Sequence, residues 1–141
     1  MSVNKFNAEG YYDPTAYEAL TLIEKAAKKK RVFRPFVYIC SPLAGNVREN
    51  QENARRYCRF AVDRGSIPIA PHIYFTQFMR DDNPEERNLA MFMGMILLTK
   101  CAEVWVFGDV ISAGMRQEIE KARRKNIPIR CFSSQLEEVK T

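Results

Sequence analysis

Four short apolar runs, separated by stretches of helical periodicity, place the tightest constraint on the fold. They are Phe36–Cys40, Ile67–Ala70, Glu103–Phe107 and Ile127–Cys131. Phe36–Cys40, bounded by Pro35 and by Ser41-Pro42, is too short for a helix and reads as a buried strand, and so do the other three. The stretches between them carry helix-start signals. Asn46-Val-Arg-Glu49 resembles a capping box and opens a helix with Ala54, Tyr57, Cys58, Ala61 and Val62 on its apolar stripe, ended by Gly65. Asn83-Pro84-Glu85-Glu86 opens another, predicted to run to about Lys100 with Leu89, Phe92, Met93, Ile96 and Leu97 inward. A third spans Gly114–Asn126. Ahead of the first strand, Asp13-Pro14 reads as a cap with proline at the first helical position. Tyr17, Leu20, Ile23 and Ala27 follow at helical spacing, and the cations Lys28–Arg31 close that helix. Residues 73–83 read as a loop or partial helix, and Ser133–Thr141 as a last helix.

Strand and helix thus alternate as β-α-β-α-β-α-β. The alternation predicts an α/β fold with a mainly parallel sheet of four to five strands and helices on both faces. Right-handed crossovers leave few topologies, and a flavodoxin- or Rossmann-like three-layer sandwich is expected. We expect one domain. Residues 1–34 are an extension with one helix, 35–132 the core and 133–141 a tail.

Composition narrows the function. Hydrophobic residues make up 46% and charged residues 28% of 141 residues. That balance excludes a disordered chain, a collagen and a low-complexity linker. No apolar run approaches the ~20 residues of a membrane-spanning helix, so no membrane partner is expected. Residues 1–14 lack the apolar centre of a secretory signal. Cys40, Cys58, Cys101 and Cys131 are far apart and form no C-x-x-C pair, which points to free thiols in a reducing cytosol. With one histidine, His72, no metal site is expected. The net charge of +5 favours an anionic partner without naming it. The clusters Lys28–Arg31, Arg55-Arg56-Arg59 and Arg123-Arg124-Lys125 lie on polar helix faces or ends, with no nucleic-acid motif. A nucleic-acid-binding module therefore rests on charge alone.

In a parallel sheet, ligands bind at the carboxyl ends of the strands. Those ends are Ser41–Gly45, Pro71–Tyr74, Gly108–Gly114 and the segment after Cys131. Glu118 is the most informative position beside them. It shares a helical stripe with Met115, Ile119 and Ala122, where a carboxylate is costly unless paired or used. Two readings stand: a catalytic group, or an edge residue paired with a neighbouring arginine. The loops Ser41-Pro42-Leu43-Ala44-Gly45 and Ser112-Ala113-Gly114 each lead into a helix, where free N–H groups and serine hydroxyls suit a phosphate. Ordinary turn and capping chemistry explains them equally. Arg48, one turn into its helix, could reach the same anion. His72 directly follows a strand, either as a ligand contact or proton carrier or as a packed side chain. Gln77, with Tyr74, Phe75 and Phe78, could read a base edge or belong to the core. Asp81 and Asp82 read as solvated.

Taken together, Val37–Leu43 (VYICSPL), Ile67–His72 (IPIAPH), Glu103–Gly108 (EVWVFG) and Ser112–Ala122 (SAGMRQEIEKA) resemble the nucleoside 2-deoxyribosyltransferase-like superfamily. The likeness is greatest to its uncharacterised bacterial and phage members. The resemblance implies that Glu118 is the nucleophile on the sugar's anomeric carbon, flanked by Gly114 and Ala122. Ser112, in place of an aspartate, implies a nucleoside 5′-monophosphate rather than a free nucleoside. The segment Ser41–Gly45, with Arg48, would hold sugar and phosphate. A homodimer or larger assembly is implied, and no metal or organic cofactor. The chain departs from the pattern at Glu120, where the family has glycine. It also lacks a carboxylate near Met95, where the family has an acid to protonate the leaving base; His72 or Glu103 could substitute. The expected function is hydrolysis or transfer at the N-glycosidic bond of a (deoxy)nucleoside or its 5′-monophosphate. The alternative is a non-catalytic nucleotide-binding or sequestering protein on the same fold.

Overall fold

A computed structural model describes residues 14–30 and 33–140. The chain divides into two compact units, residues 1–33 and 34–141. The first contains helix α1 (Pro14–Lys30), which begins at the expected proline. Thr21 Oγ1 donates to the Tyr17 carbonyl at 2.8 Å, and Leu20, Leu22 and Ile23 are exposed. The Asp13 cap and the side chains of Lys28–Arg31 lie outside the described residues.

The second unit runs β1 (Phe36–Cys40), α2 (Val47–Asp63), β2 (Ile67–Ile69), α3 (Pro71–Tyr74), a 3₁₀ turn (Phe75–Gln77), α4 (Pro84–Thr99), β3 (Glu103–Phe107), α5 (Ala113–Arg124), β4 (Ile129–Phe132) and β5 (Glu138–Val139). The sheet order is β2-β1-β3-β4-β5. Its first four strands are parallel and β5 is antiparallel to β4. This is the expected α/β, Rossmann-like arrangement. Strand order reverses between β1 and β3, which opens a crevice at their carboxyl ends.

Period-two alternation sorts each strand between two cores. Tyr38, Cys40, Val104 and Val106 face one side, against Leu98 of α4 and Met115, Ile119 and Ala122 of α5. Val37, Ile39, Trp105, Phe107 and Phe132 face the other, against Tyr57 and Ala61 of α2. There Phe107 stacks on Tyr57 at 4.2 Å and on Phe132 at 5.2 Å.

The helix starts read from sequence hold at the atomic level. Asn46 Oδ1 accepts from Glu49 N–H while its amide donates back to the Glu49 carboxylate, each at 3.1 Å. Asn83 Oδ1 accepts from the N–H groups of Glu85 and Glu86.

Two expectations are corrected. The tail is not a helix. Ser133 Oγ accepts from Gln135 and Glu137 N–H, and Ser133 N–H donates to the Glu137 carbonyl. Leu136 has a positive φ of 67°. A serine side chain that captures backbone donors turns the chain back, and Glu138 then meets Arg130 across the strands at 2.7 and 2.9 Å. The inward face of α4 also differs. Leu89, Phe92 and Ile96 are exposed, whereas Gly94 and Leu98 are buried and Met95 packs on the core. Between Leu89 and Leu98 only Gly94 interrupts the apolar run, so periodicity could not choose the face. Among the described residues no helix is long and apolar enough to cross a membrane.

Candidate functional site

The crevice at the strand ends holds a cavity of about 450 Å³. Its floor is Tyr38 of β1 and Ser41, which directly follows that strand. One wall is the α3 region, from Pro71 and His72 to Phe75, Thr76 and Met79. A second is α4, through Glu86, Arg87, Ala90, Met91, Gly94 and Met95. The third is the start of α5, from Ser112 to Glu118, with Leu43 and Ala44 at the rim.

Glu118 projects from α5 into this space. No ion pair forms on it among the described residues, so the edge-of-helix pairing with an arginine is not what the fold builds. Its Oε2 is the one buried side-chain oxygen or nitrogen among the described residues without a hydrogen-bond partner. Burial pushes the carboxyl up to about 7, and the nearby Cys40 thiol and Tyr38 hydroxyl act in the opposite direction. Burial and the Glu118 charge in turn raise Tyr38 and Cys40 well above their ordinary values, so both stay protonated donors. The Cys40 thiol also contacts the Met115 carbonyl at 3.8 Å. The Tyr38 hydroxyl lies where a Cβ added at Gly94 would meet it at 3.6 Å.

Ser112 caps α5, its Oγ accepting from Met115 N–H at 3.2 Å. The first N–H groups of the helix have no intrahelical acceptor, and Ala113 and Gly114 line the cavity. Ser41 and His72 meet at 3.0 Å between Oγ and Nε2. Burial lowers the imidazole to about 4, so it is neutral at physiological pH.

The fold thus brings Ser41, Leu43, His72, Ser112, Gly114 and Glu118 to one cavity. Pro42, Gly45 and Arg48 are not among its lining. Pro42 borders a smaller, separate pocket of about 190 Å³ with Asn50, Asn53 and Tyr57. Gly45 takes the positive φ of 95° that turns the chain into α2. Arg48 is 92% exposed and pairs with Glu52 at 3.6 Å. Glu103 lies at the opposite end of β3, where it accepts from the Trp105 indole at 3.3 Å and pairs with Arg130. Gln77 is exposed and folds back on the Ile73 carbonyl.

Residues 35–132 match a family model described as "Domain of unknown function (DUF7768)". The chain belongs to the DUF7768 family. No curated protein matches it in sequence. Among solved structures, the DUF7768 domain is similar to the 2-deoxyribosyltransferase of the psychrotolerant bacterium Bacillus psychrosaccharolyticus. The TM-score is 0.58 at 16% identity, over 70% of this chain and 72% of that one. A conserved protein from Enterococcus faecalis V583 gives a TM-score of 0.48 at 18% identity, over 71% and 64% of the two chains. At such identities the likeness to the transferase is one of fold.

Sequence reasoning missed several groups that the DUF7768 fold places at the cavity. Tyr38 was visible only as part of an apolar run, although its spacing of two from Cys40 puts both on one strand face. The cations at the rim are Arg80 and Arg87, with Asp81 and Glu86 beside them. Arg80 is engaged with Asp82 at 3.1 Å. Their helix-start and loop positions gave no hint of a cavity. Among the described residues no three His, Cys, Asp or Glu side chains come together to hold a metal ion.

Proposed function

We propose that this DUF7768 protein cleaves or exchanges the N-glycosidic bond of a (deoxy)nucleoside or its 5′-monophosphate, with Glu118 as nucleophile. The observation that carries the reading is the enclosed carboxyl of Glu118, its Oε2 unpartnered, on the lining of a cavity large enough for a nucleoside. A carboxyl held in this way, with a value near 7, supplies a substantial ionised fraction at neutral pH and little solvation to lose on attack.

The first step forms a bond between a Glu118 carboxylate oxygen and C1′ as the bond from C1′ to the base nitrogen breaks. The electron pair leaves with the base. An acceptor, water or a second base, then attacks C1′ and frees the carboxylate, as in retaining glycosidases. Tyr38 and Cys40, as protonated donors on one strand face, orient the carboxyl. The apolar wall of Phe75, Met79, Met91 and Met95 suits a planar base. Ser112 and the first N–H groups of α5 suit a phosphate, and Arg87 is the rim cation we assign to it in place of Arg48. The likeness in fold to a 2-deoxyribosyltransferase supports this reading.

The test is incubation with a panel of nucleosides and 5′-monophosphates, free base being measured by chromatography. Base release that is lost in Glu118→Gln is expected. Nucleotide binding without release from any substrate would instead favour the second reading, a nucleotide-sequestering protein. One observation speaks for that reading: the cavity wall carries Met95 where the resemblance implies a carboxylate.

We further propose self-association in a reducing cytosol. The free thiols fit that compartment, and Leu89, Phe92 and Ile96 form an exposed apolar stripe on the outer face of α4.

A further inference from the structure

Ser41 and His72 are the second buried polar feature of the cavity. Ser41 directly follows β1 and is only 6% exposed. His72 follows Pro71 in the first turn of α3, held there by Thr76, whose hydroxyl bonds the His72 carbonyl at 3.1 Å and accepts from Gln51 of α2 at 3.0 Å. These bonds hold the His72 backbone, and the ring itself is held at Nε2 by the Ser41 hydroxyl. The titratable and charged groups sharing its cavity are Tyr38 from β1, Glu118 from α5, Arg80 and Asp81 from the connection after α3, and Glu86 and Arg87 from α4. The Ser41 Oγ to His72 Nε2 separation of 3.0 Å lies within the roughly 2.6–3.2 Å reach over which a base activates a hydroxyl. Burial holds the ring neutral, so one ring nitrogen carries a proton and the other has a lone pair to accept one.

We infer that Ser41 and His72 form a proton relay that activates the acceptor in the second half of the reaction. The inference rests on the nucleophile reading of Glu118. With water as acceptor, the oxygen of water bonds to C1′ and the C1′–Glu118 ester bond breaks, its electron pair returning to the carboxylate. The proton of water passes to Ser41 Oγ as the Ser41 proton passes to His72 Nε2. The resulting imidazolium then releases its proton to the departed base. The sum is nucleoside plus water to sugar plus neutral base.

The experiment follows the two half-reactions separately. Full-length, tag-free wild type, Ser41→Ala and His72→Gln are mixed with 2′-deoxyadenosine 5′-monophosphate and with thymidine. Free base is followed by rapid quench and the protein by intact mass. The variants are expected to release about one equivalent of base at near the wild-type rate and to accumulate a glycosyl adduct. Their steady-state turnover falls roughly 100-fold, the scale of general base catalysis. Unchanged turnover overturns the relay, and so does loss of burst and turnover together with no adduct. Wild type that releases no base from either probe overturns the nucleophile reading and the relay with it, an outcome distinct from the first two. Ser41→Ala removes one oxygen and guards against a folding defect in His72→Gln. Because His72 is the single histidine of the chain, its ¹⁵N spectrum gives a readout free of turnover. A neutral ring at about pH 6, against the ordinary 6.5, and a shift of the Nε2 resonance in Ser41→Ala are expected; a charged ring there contradicts the relay.

Discussion

Removing the charge of Glu118 should make the protein more stable at neutral pH, by an amount the site itself sets. Folding moves this carboxyl from the ordinary 4.5 up to about 7. Between those values the folded protein keeps a proton that the unfolded chain has released, so stability falls as pH rises. At about 1.36 kcal/mol per pKa unit, the loss is on the order of 3 kcal/mol above pH 7, a ceiling that relaxation of the site will lower. His72 runs the other way. Folding moves it from 6.5 down to about 4, so its contribution is complete above 6.5 and is lost as pH falls, again by on the order of 3 kcal/mol. The two slopes oppose each other over the shared interval, and the wild type should show a nearly flat contribution there from this pair. Glu118→Gln uncovers the histidine slope. The difference in unfolding free energy, variant minus wild type, should be near zero below pH 4.5 and grow to roughly 3 kcal/mol above pH 7. Urea unfolding followed by fluorescence measures it, since Trp105 is the only tryptophan and is 2% exposed. Parallel pH profiles for the two proteins would refute the burial argument.

Three further outcomes follow from the same structure. Arg87→Ala should weaken binding of a 5′-monophosphate about tenfold and leave the matching nucleoside unchanged, measured by calorimetry, if the rim cation meets the phosphate. Phe92→Glu should lower the molecular mass found by sedimentation without lowering stability, because the ring is 64% exposed on the outer face of α4. Phe107→Ala, in the aromatic stack between Tyr57 and Phe132, should cost about 3–5 kcal/mol in urea unfolding.

The strands, the helix starts and the stripe of α5 were legible because each is written locally. Asn46 and Asn83 announce their helices by side-chain chemistry, and Glu118 stands out as a charge on an apolar stripe. What was not legible depended on partners distant in sequence. The face of α4 could not be read where nearly every residue is apolar. The Ser133 turn competes with a helix through hydrogen bonds that only the neighbouring strand makes worthwhile. Arg48 reads as an anion contact from its place in the chain, yet the helix aims it at solvent and at Glu52. Tyr38 gained meaning only once α5 lay across its strand.

Helix α4 rests on the core at Gly94 and Leu98 near its far end, while its earlier turns, through Glu86, Arg87, Ala90 and Met91, overlie the cavity. The first half of the helix therefore forms cavity wall rather than core. Whatever occupies that space supplies the packing that the chain leaves out there, and so becomes part of the core for as long as it stays. Slowed amide exchange along the first turns of α4 is then the physical signature of occupancy. It reports binding whether or not any bond is cleaved.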